Sequence, residues 1–130
     1  MSFSDQIKKF NNKTVEAHNA IFRGTALDLF GRIIKRTPVD TGRLRANWKA
    51  SINTPSKEIT GTKDKTGSKA LKDSESVVDR YDFGDSVFFI NNLPYAEAIE
   101  DGHSDQRPLG MVKVTVAEFR HIVKMRARSK

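Results

Sequence analysis

The chain has 130 residues and no cysteine. Disulfide frameworks, thiolate metal sites and cysteine nucleophiles are therefore excluded. No apolar run approaches the roughly 18 residues of a membrane-spanning helix. The opening stretch MSFSDQIKKFNN lacks the apolar segment of a secretory leader. Both observations predict a soluble protein with no membrane partner. Phosphate-cradling patterns of the GxGxxG and GxxxxGK[ST] kinds are absent too. The segment GTKDKTGSK has glycine and lysine, but neither the spacing nor the strand–loop–helix context of such a cradle. Hydrophobic residues make up only 37% and charged residues 30%. That composition suits one domain over 1–130 whose apolar surface is partly covered by a partner.

Charge is unevenly placed. Residues 1–50 hold ten Lys/Arg against four Asp/Glu, residues 51–102 six against ten, and residues 103–130 seven against two. A basic–acidic–basic order fits head-to-tail contact between copies, or basic ends facing nucleic acid. It also fits plain solvated faces.

Periodicity gives the elements. Residues 2–36 read as one long helix or arm. Ser2 and Asp5 have capping-box spacing. Phe3, Ile7, Phe10, Ala17 and Ile21 make a narrow apolar stripe, interrupted by Thr14. Phe22, Ala26, Leu27, Leu29, Phe30, Ile33 and Ile34 make a broad face suited to a core. About 35 residues at 1.5 Å each span roughly 50 Å. That exceeds a domain of this size, so the arm is expected to reach a neighbour. Asn11, Asn12 and Gly24 are places where it is weakest. Pro38 ends the helix, because proline keeps the residue before it out of the helical region. Asp40-Thr41-Gly42 makes a turn. From Arg43 to Ile52 apolar and polar residues alternate, which predicts a strand anchored by Trp48.

The sheet is expected over 43–91, interrupted by a long flexible loop at 53–80. A short strand near Glu58–Thr60 and an amphipathic helix from Ala70 to Tyr81 are options within that loop. Val87, Phe88, Phe89 and Ile90 form a second strand. A short helix follows over 92–102, with Asn92 as its N-cap, Pro94 in its first turn, Tyr95 as its apolar anchor and Gly102 as its C-cap. A C-terminal helix is expected over 109–126. On it Val112, Val116, Phe119 and Val123 share a face, flanked by Met111, Thr115, Ile122 and Met125. The fold class is α+β: a long N-terminal helix packed on a small antiparallel sheet, with a short helix and a C-terminal helix.

Candidate chemistry is thin. His18, His103 and His121 have no context that activates a serine. Glu100, Asp101, His103 and Asp105 could hold a divalent cation, but their spacing matches no established loop. Glu97 and Glu100, three apart on a helix, are ordinary solvated or ion-paired carboxylates as much as an acid pair. The reading expects no catalytic residue, no cofactor and no metal. Arg120, Lys124, Arg126 and Arg128 cluster near the C-terminus. They suit a DNA-facing or interface surface, or simply a helix end whose dipole favours cations.

Two segments point further. They are RTPVDTGRLRANW at 36–48 and INNLPYAEAIEDGHS at 90–104. In this order, behind a long helix, they resemble the tail-component or neck-protein family of long-tailed bacteriophages, a group to which minor tail protein Z of lambda-like phages is similar. The matching positions are Pro38, Asp40, Gly42, Leu44, Trp48, Asn92, Pro94, Tyr95, Glu100 and Gly102. The resemblance implies a non-enzymatic virion component, assembled in the host cytoplasm and placed at the neck. It implies a homo-oligomeric ring, commonly of six copies, around the DNA channel. The expected partners are head-closure or connector proteins, the tail tube or terminator, and packaged DNA. A tail terminator is the near alternative, and a small basic nucleic-acid-binding protein the distant one. Most of the matching residues have architectural duties in the residue-level reading. Glu100 has none there, so it is expected to pair with a cation such as Arg43 or Arg45 on another copy.

Overall fold

A computed structural model of the chain describes residues 2–101, 110–118, 125 and 128. The first helix, α1, runs unbroken from Phe3 to Arg36. Its start follows from Ser2, whose Oγ accepts the Asp5 N–H at 3.1 Å while the Ser2 N–H donates to Asp5 at 3.3 Å. Its end follows from Thr37, extended at ψ 124° ahead of Pro38. Asn11, Asn12 and Gly24 do not interrupt it. Residues 2–14 are all exposed, whereas Ala26, Phe30, Ile33 and Ile34 are buried.

Next comes a difference from the expected strand. Arg43–Ala46 is a turn of helix, α2, and only Trp48–Ile52 is a strand, β1. Alternation alone cannot separate these, because one helical turn buries Leu44 and Ala46 as a strand would. Gly42 sets the helical turn off at φ +90°. There its Cα lies so close to the Asp64–Lys65 backbone that a Cβ would meet Lys65 N at 2.5 Å.

Residues 53–67 form a loop without the short strand considered near Glu58. It is anchored rather than loose. Asn47, fully buried, donates to the Thr60 carbonyl at 2.9 Å and accepts the Thr60 N–H at 2.8 Å. Asn92 donates to the carbonyls of Ser56 at 2.9 Å and Glu58 at 3.3 Å. Ser68–Val78 is a helix, α3, so the last part of the expected flexible loop over 53–80 is helical, close to the Ala70–Tyr81 helix considered within it. Asp64 starts it by accepting N–H groups from Gly67 at 3.1 Å and Ala70 at 3.0 Å. The second strand, β2, spans Val87–Asn91 and pairs antiparallel with β1, Trp48 opposite Asn91 and Ile52 opposite Val87. Then come α4, Ala96–Glu100, and α5, Val112–Ala117. The architecture is α+β, as expected.

The core lies where the second half of α1 meets the sheet and α3. Phe89 of β2 stacks on Phe30 with ring centroids 4.0 Å apart and on Trp48 at 4.8 Å. Ile33, Ile34, Leu44, Ala70, Leu93 and Met111 close around this stack. Trp48 donates from Nε1 to Thr37 Oγ1 at 2.8 Å, and the Thr37 hydroxyl in turn donates to the Ile33 carbonyl at 2.7 Å. The indole thus enters the core with its polar atom satisfied. On α5 the inward residues are Met111 and Thr115, both buried, whereas Val116 is 58% exposed. The expected apolar face is thus turned by about one position in this part of the helix. Glu118 bridges to Arg32 at 2.9 Å and to Arg36, which ties α5 to α1.

Candidate functional site

Residues 36–48 and 90–101 are far apart in sequence, and the fold makes them neighbours. Residues 38–44 form one wall of a surface hollow of about 220 Å³, and Tyr95 and Ile99 form the other. Two hydrogen bonds of Asn91 flank it. The Asn91 amide donates to the Leu44 carbonyl at 2.8 Å, joining β2 to α2. The same amide's oxygen accepts the Leu93 N–H at 3.2 Å, which sets the turn into α4. Leu93 and Ala96 are buried beneath, so Tyr95 is turned outward.

Tyr95 is 44% exposed, at the residue just before α4. Tyr95 is not the apolar anchor expected for the short helix. Leu93 and Ala96 hold that place instead, and the phenol is left as surface. Asn92 is not the N-cap: the helix starts at Ala96, and Asn92 holds the 53–67 loop. Pro94 is exposed in the turn just before α4. Gly102, expected as the C-cap, lies outside the described residues.

Glu100 has a structural duty after all. Its carboxylate accepts the backbone N–H groups of Met111 at 2.8 Å, Val112 at 2.7 Å and Lys113 at 2.9 Å. A helix start leaves such donors unpaired, and its dipole favours an anion there. Glu100 is therefore a cap supplied to α5 from another element. Gly110, at φ +86°, permits the approach, since a Cβ there would meet the Glu100 carbonyl oxygen at 2.7 Å. The expected intersubunit pairing of Glu100 with Arg43 or Arg45 gives way to this. Arg45 donates to the carbonyls of Thr37 at 2.9 Å, Lys65 at 2.7 Å and Lys35 at 2.9 Å. It clamps the end of α1 to the loop. Arg43 donates to the Thr60 carbonyl at 3.3 Å. A salient residue the sequence reading missed is Asn47. Its only signal there was a polar residue at an outward strand position.

The remaining candidates are quickly placed. Pro38, Asp40, Gly42 and Leu44 all line the hollow, Gly42 and Leu44 being buried. Trp48 is core. Among the described residues no group of three or more His, Asp or Glu is placed to hold a metal ion. His103 and Asp105 fall outside them. His18 contacts the Tyr81 hydroxyl at 3.2 Å on the surface of α1. Of the C-terminal cations, Arg128 is exposed, and Arg120, Lys124 and Arg126 lie outside the described residues. No described helix is long and apolar enough to cross a membrane.

A second surface feature is the free half of α1. Phe3 is 76% exposed, Ile7 52% and Phe10 74%. Below it, Asn19 donates to Asp82 at 3.1 Å, and the Phe83 N–H donates to the same carboxylate at 2.8 Å. The Phe83 amide, then Asn19, hold the Asp82 carboxyl below its usual range.

Among the described residues the surface thus shows a hollow lined largely by apolar residues and a helix end with exposed Phe3, Ile7 and Phe10. Residues 2–102 match the family described as bacteriophage HK97-gp10-like tail components. The chain belongs to this family, and is thus a structural component of a phage tail. No curated protein and no solved structure matches it.

Proposed function

We propose that the protein is a neck or tail-completion protein, which joins head to tail as an oligomeric ring around the DNA channel. Its partners are further copies of itself, head-closure or connector proteins on one side and the tail tube or terminator on the other, with the packaged DNA passing through. Assembly takes place in the host cytoplasm and the product is the virion neck. The observation that carries this reading is the hollow. The two segments that resemble phage neck proteins meet on one surface, and their exposed residues there, Tyr95 and Asp40, have no part in the core. Such residues are explained by a docking partner more readily than by the fold. Family membership supports the tail. A ring follows from unlike surfaces on one chain, since a heterologous contact closes when its rotation divides a circle.

Electron microscopy of particles assembled without this chain tests the proposal. Full heads beside separate tails of normal length are the expected result. Overlong tails would point to a terminator, because a tube without its stop keeps growing. Normal joined particles would refute a role at the junction.

A further inference from the structure

We infer that the basic ridge where the 53–67 loop meets α2 and the end of α1 lies against the phosphate backbone of duplex DNA, with Lys63 and Lys65 at its centre. This rests on the neck reading above for the source of the DNA, and names the surface that faces it. Charge clustering in sequence points to the C-terminal cations; the fold assembles another set. Arg45 donates from one guanidinium to the carbonyls of Lys35 at 2.9 Å and Lys65 at 2.7 Å. The Gly42 carbonyl accepts the Asp64 N–H at 3.0 Å, and Arg43 reaches the Thr60 carbonyl at 3.3 Å. Lys35, Arg43, Lys63 and Lys65 thus stand on neighbouring backbone and are all exposed, with Lys57 further along the same loop.

Their charge is not cancelled by the acids nearby. Asp64 gives both carboxylate oxygens to the N–H groups of Gly67 and Ala70. Glu58 bridges to Lys49 at 3.6 Å and Asp73 to Lys69 at 2.7 Å. Asp40 is the one acid between residues 35 and 45. Among the described residues none of Lys35, Arg43, Lys57, Lys63 and Lys65 is in an ion pair. Arg45 already serves the carbonyls at the end of α1, so these further cations exceed what the helix end calls for. Composition selects the partner. Protein interfaces are poor in Lys and Ser and rich in aromatic residues, whereas phosphates are contacted by Lys, Arg, Ser and Thr. Residues 56–69 hold four lysines and five Ser or Thr, no aromatic residue, and Ile59 as the one large apolar side chain. Lysine is a point charge without the fork of arginine, which suits a contact blind to sequence. Asn47 and Asn92 already fix the loop's backbone, so little of its freedom is lost on contact.

The test is fluorescence anisotropy of a labelled duplex of about 30 base pairs across a salt series. The parent chain should bind at low salt and lose affinity steeply as salt rises. Lys63→Gln with Lys65→Gln should weaken binding at about 50 mM salt roughly tenfold or more, and should reduce the log–log salt slope by about two. Lys63→Arg with Lys65→Arg keeps the charge and should bind like the parent. Lys8→Gln with Lys9→Gln removes the same charge from the arm of α1 and should change affinity by less than about twofold. All four side chains are exposed, so circular dichroism should match the parent throughout. Poly-glutamate at equal charge should displace the duplex poorly, because its charges lie about twice as far apart as those of DNA. A parent that does not bind, or an arm variant that loses as much as the ridge variant, would overturn the inference. Displacement by poly-glutamate as effective as by unlabelled duplex would overturn it too, since an acidic protein would then serve as well. If particles without this chain join normally while the ridge lysines still govern duplex binding, the neck reading falls and this surface stands.

Discussion

Single side chains decide several local outcomes. Glu100 is the clearest, because its carboxylate takes up three N–H donors at the start of α5. Glu100→Ala should cost about 2 kcal/mol, the upper end for a lost cap, measured by denaturant unfolding. If Glu100 were merely solvated, the change would stay within about 0.5 kcal/mol. Asp82 gives a pH effect whose sign is fixed by its surroundings. Its folded-state pKa lies below the unfolded value, chiefly through the Phe83 N–H and then the Asn19 amide. The stabilisation is therefore complete above the unfolded value of about 3.9 and is lost as pH falls toward the folded one. In an NMR titration the Asp82 carboxyl should show a midpoint below the ordinary range, and Asn19→Ala should move it upward.

At the scale of elements, the long loop is the instructive case. Its composition is that of a loose segment, rich in Thr, Lys, Gly and Ser. Residues 53–67 are nonetheless held by amides outside the loop, Asn47 and Asn92. Asn47→Ala should abolish hydrogen-exchange protection of the Thr60 amide and cost about 1–3 kcal/mol, since Thr60 loses its partner and a buried site is emptied. Protection that survives the substitution would mean the loop is held elsewhere. Helix α1 shows the opposite. Its capping box, its apolar face and its stop before Pro38 were all legible in sequence, because each depends on neighbours a few residues away. The alternation at 43–52 misled for a related reason. One helical turn followed by a strand leaves nearly the same polar pattern as a strand alone, and the positive φ of Gly42 decided between them.

The whole molecule is a small core with a rod projecting from it. At 1.5 Å per residue the 34 residues of α1 extend about 51 Å. A compact chain of 130 residues has a radius of gyration of about 14 Å. Small-angle scattering at low concentration should give a value clearly above that. A value near 14 Å would mean that the arm folds back. The exposed Phe3, Ile7 and Phe10 leave apolar surface in water, where burial would be favourable.

Sequence alone determined the α+β class, the extent of α1, the strand at Val87–Ile90, the aromatic anchor Trp48 and the resemblance to phage tail components. These rest on periodicity, capping and turn chemistry, which act over a few residues. Tertiary structure decided what distant segments do to one another. It brought residues 38–44 against Tyr95 and Ile99, turned Tyr95 outward, and made Glu100 the cap of a helix that starts twelve residues later. Such duties depend on distances across the fold, and no local pattern encodes a hydrogen bond between elements that only packing makes adjacent.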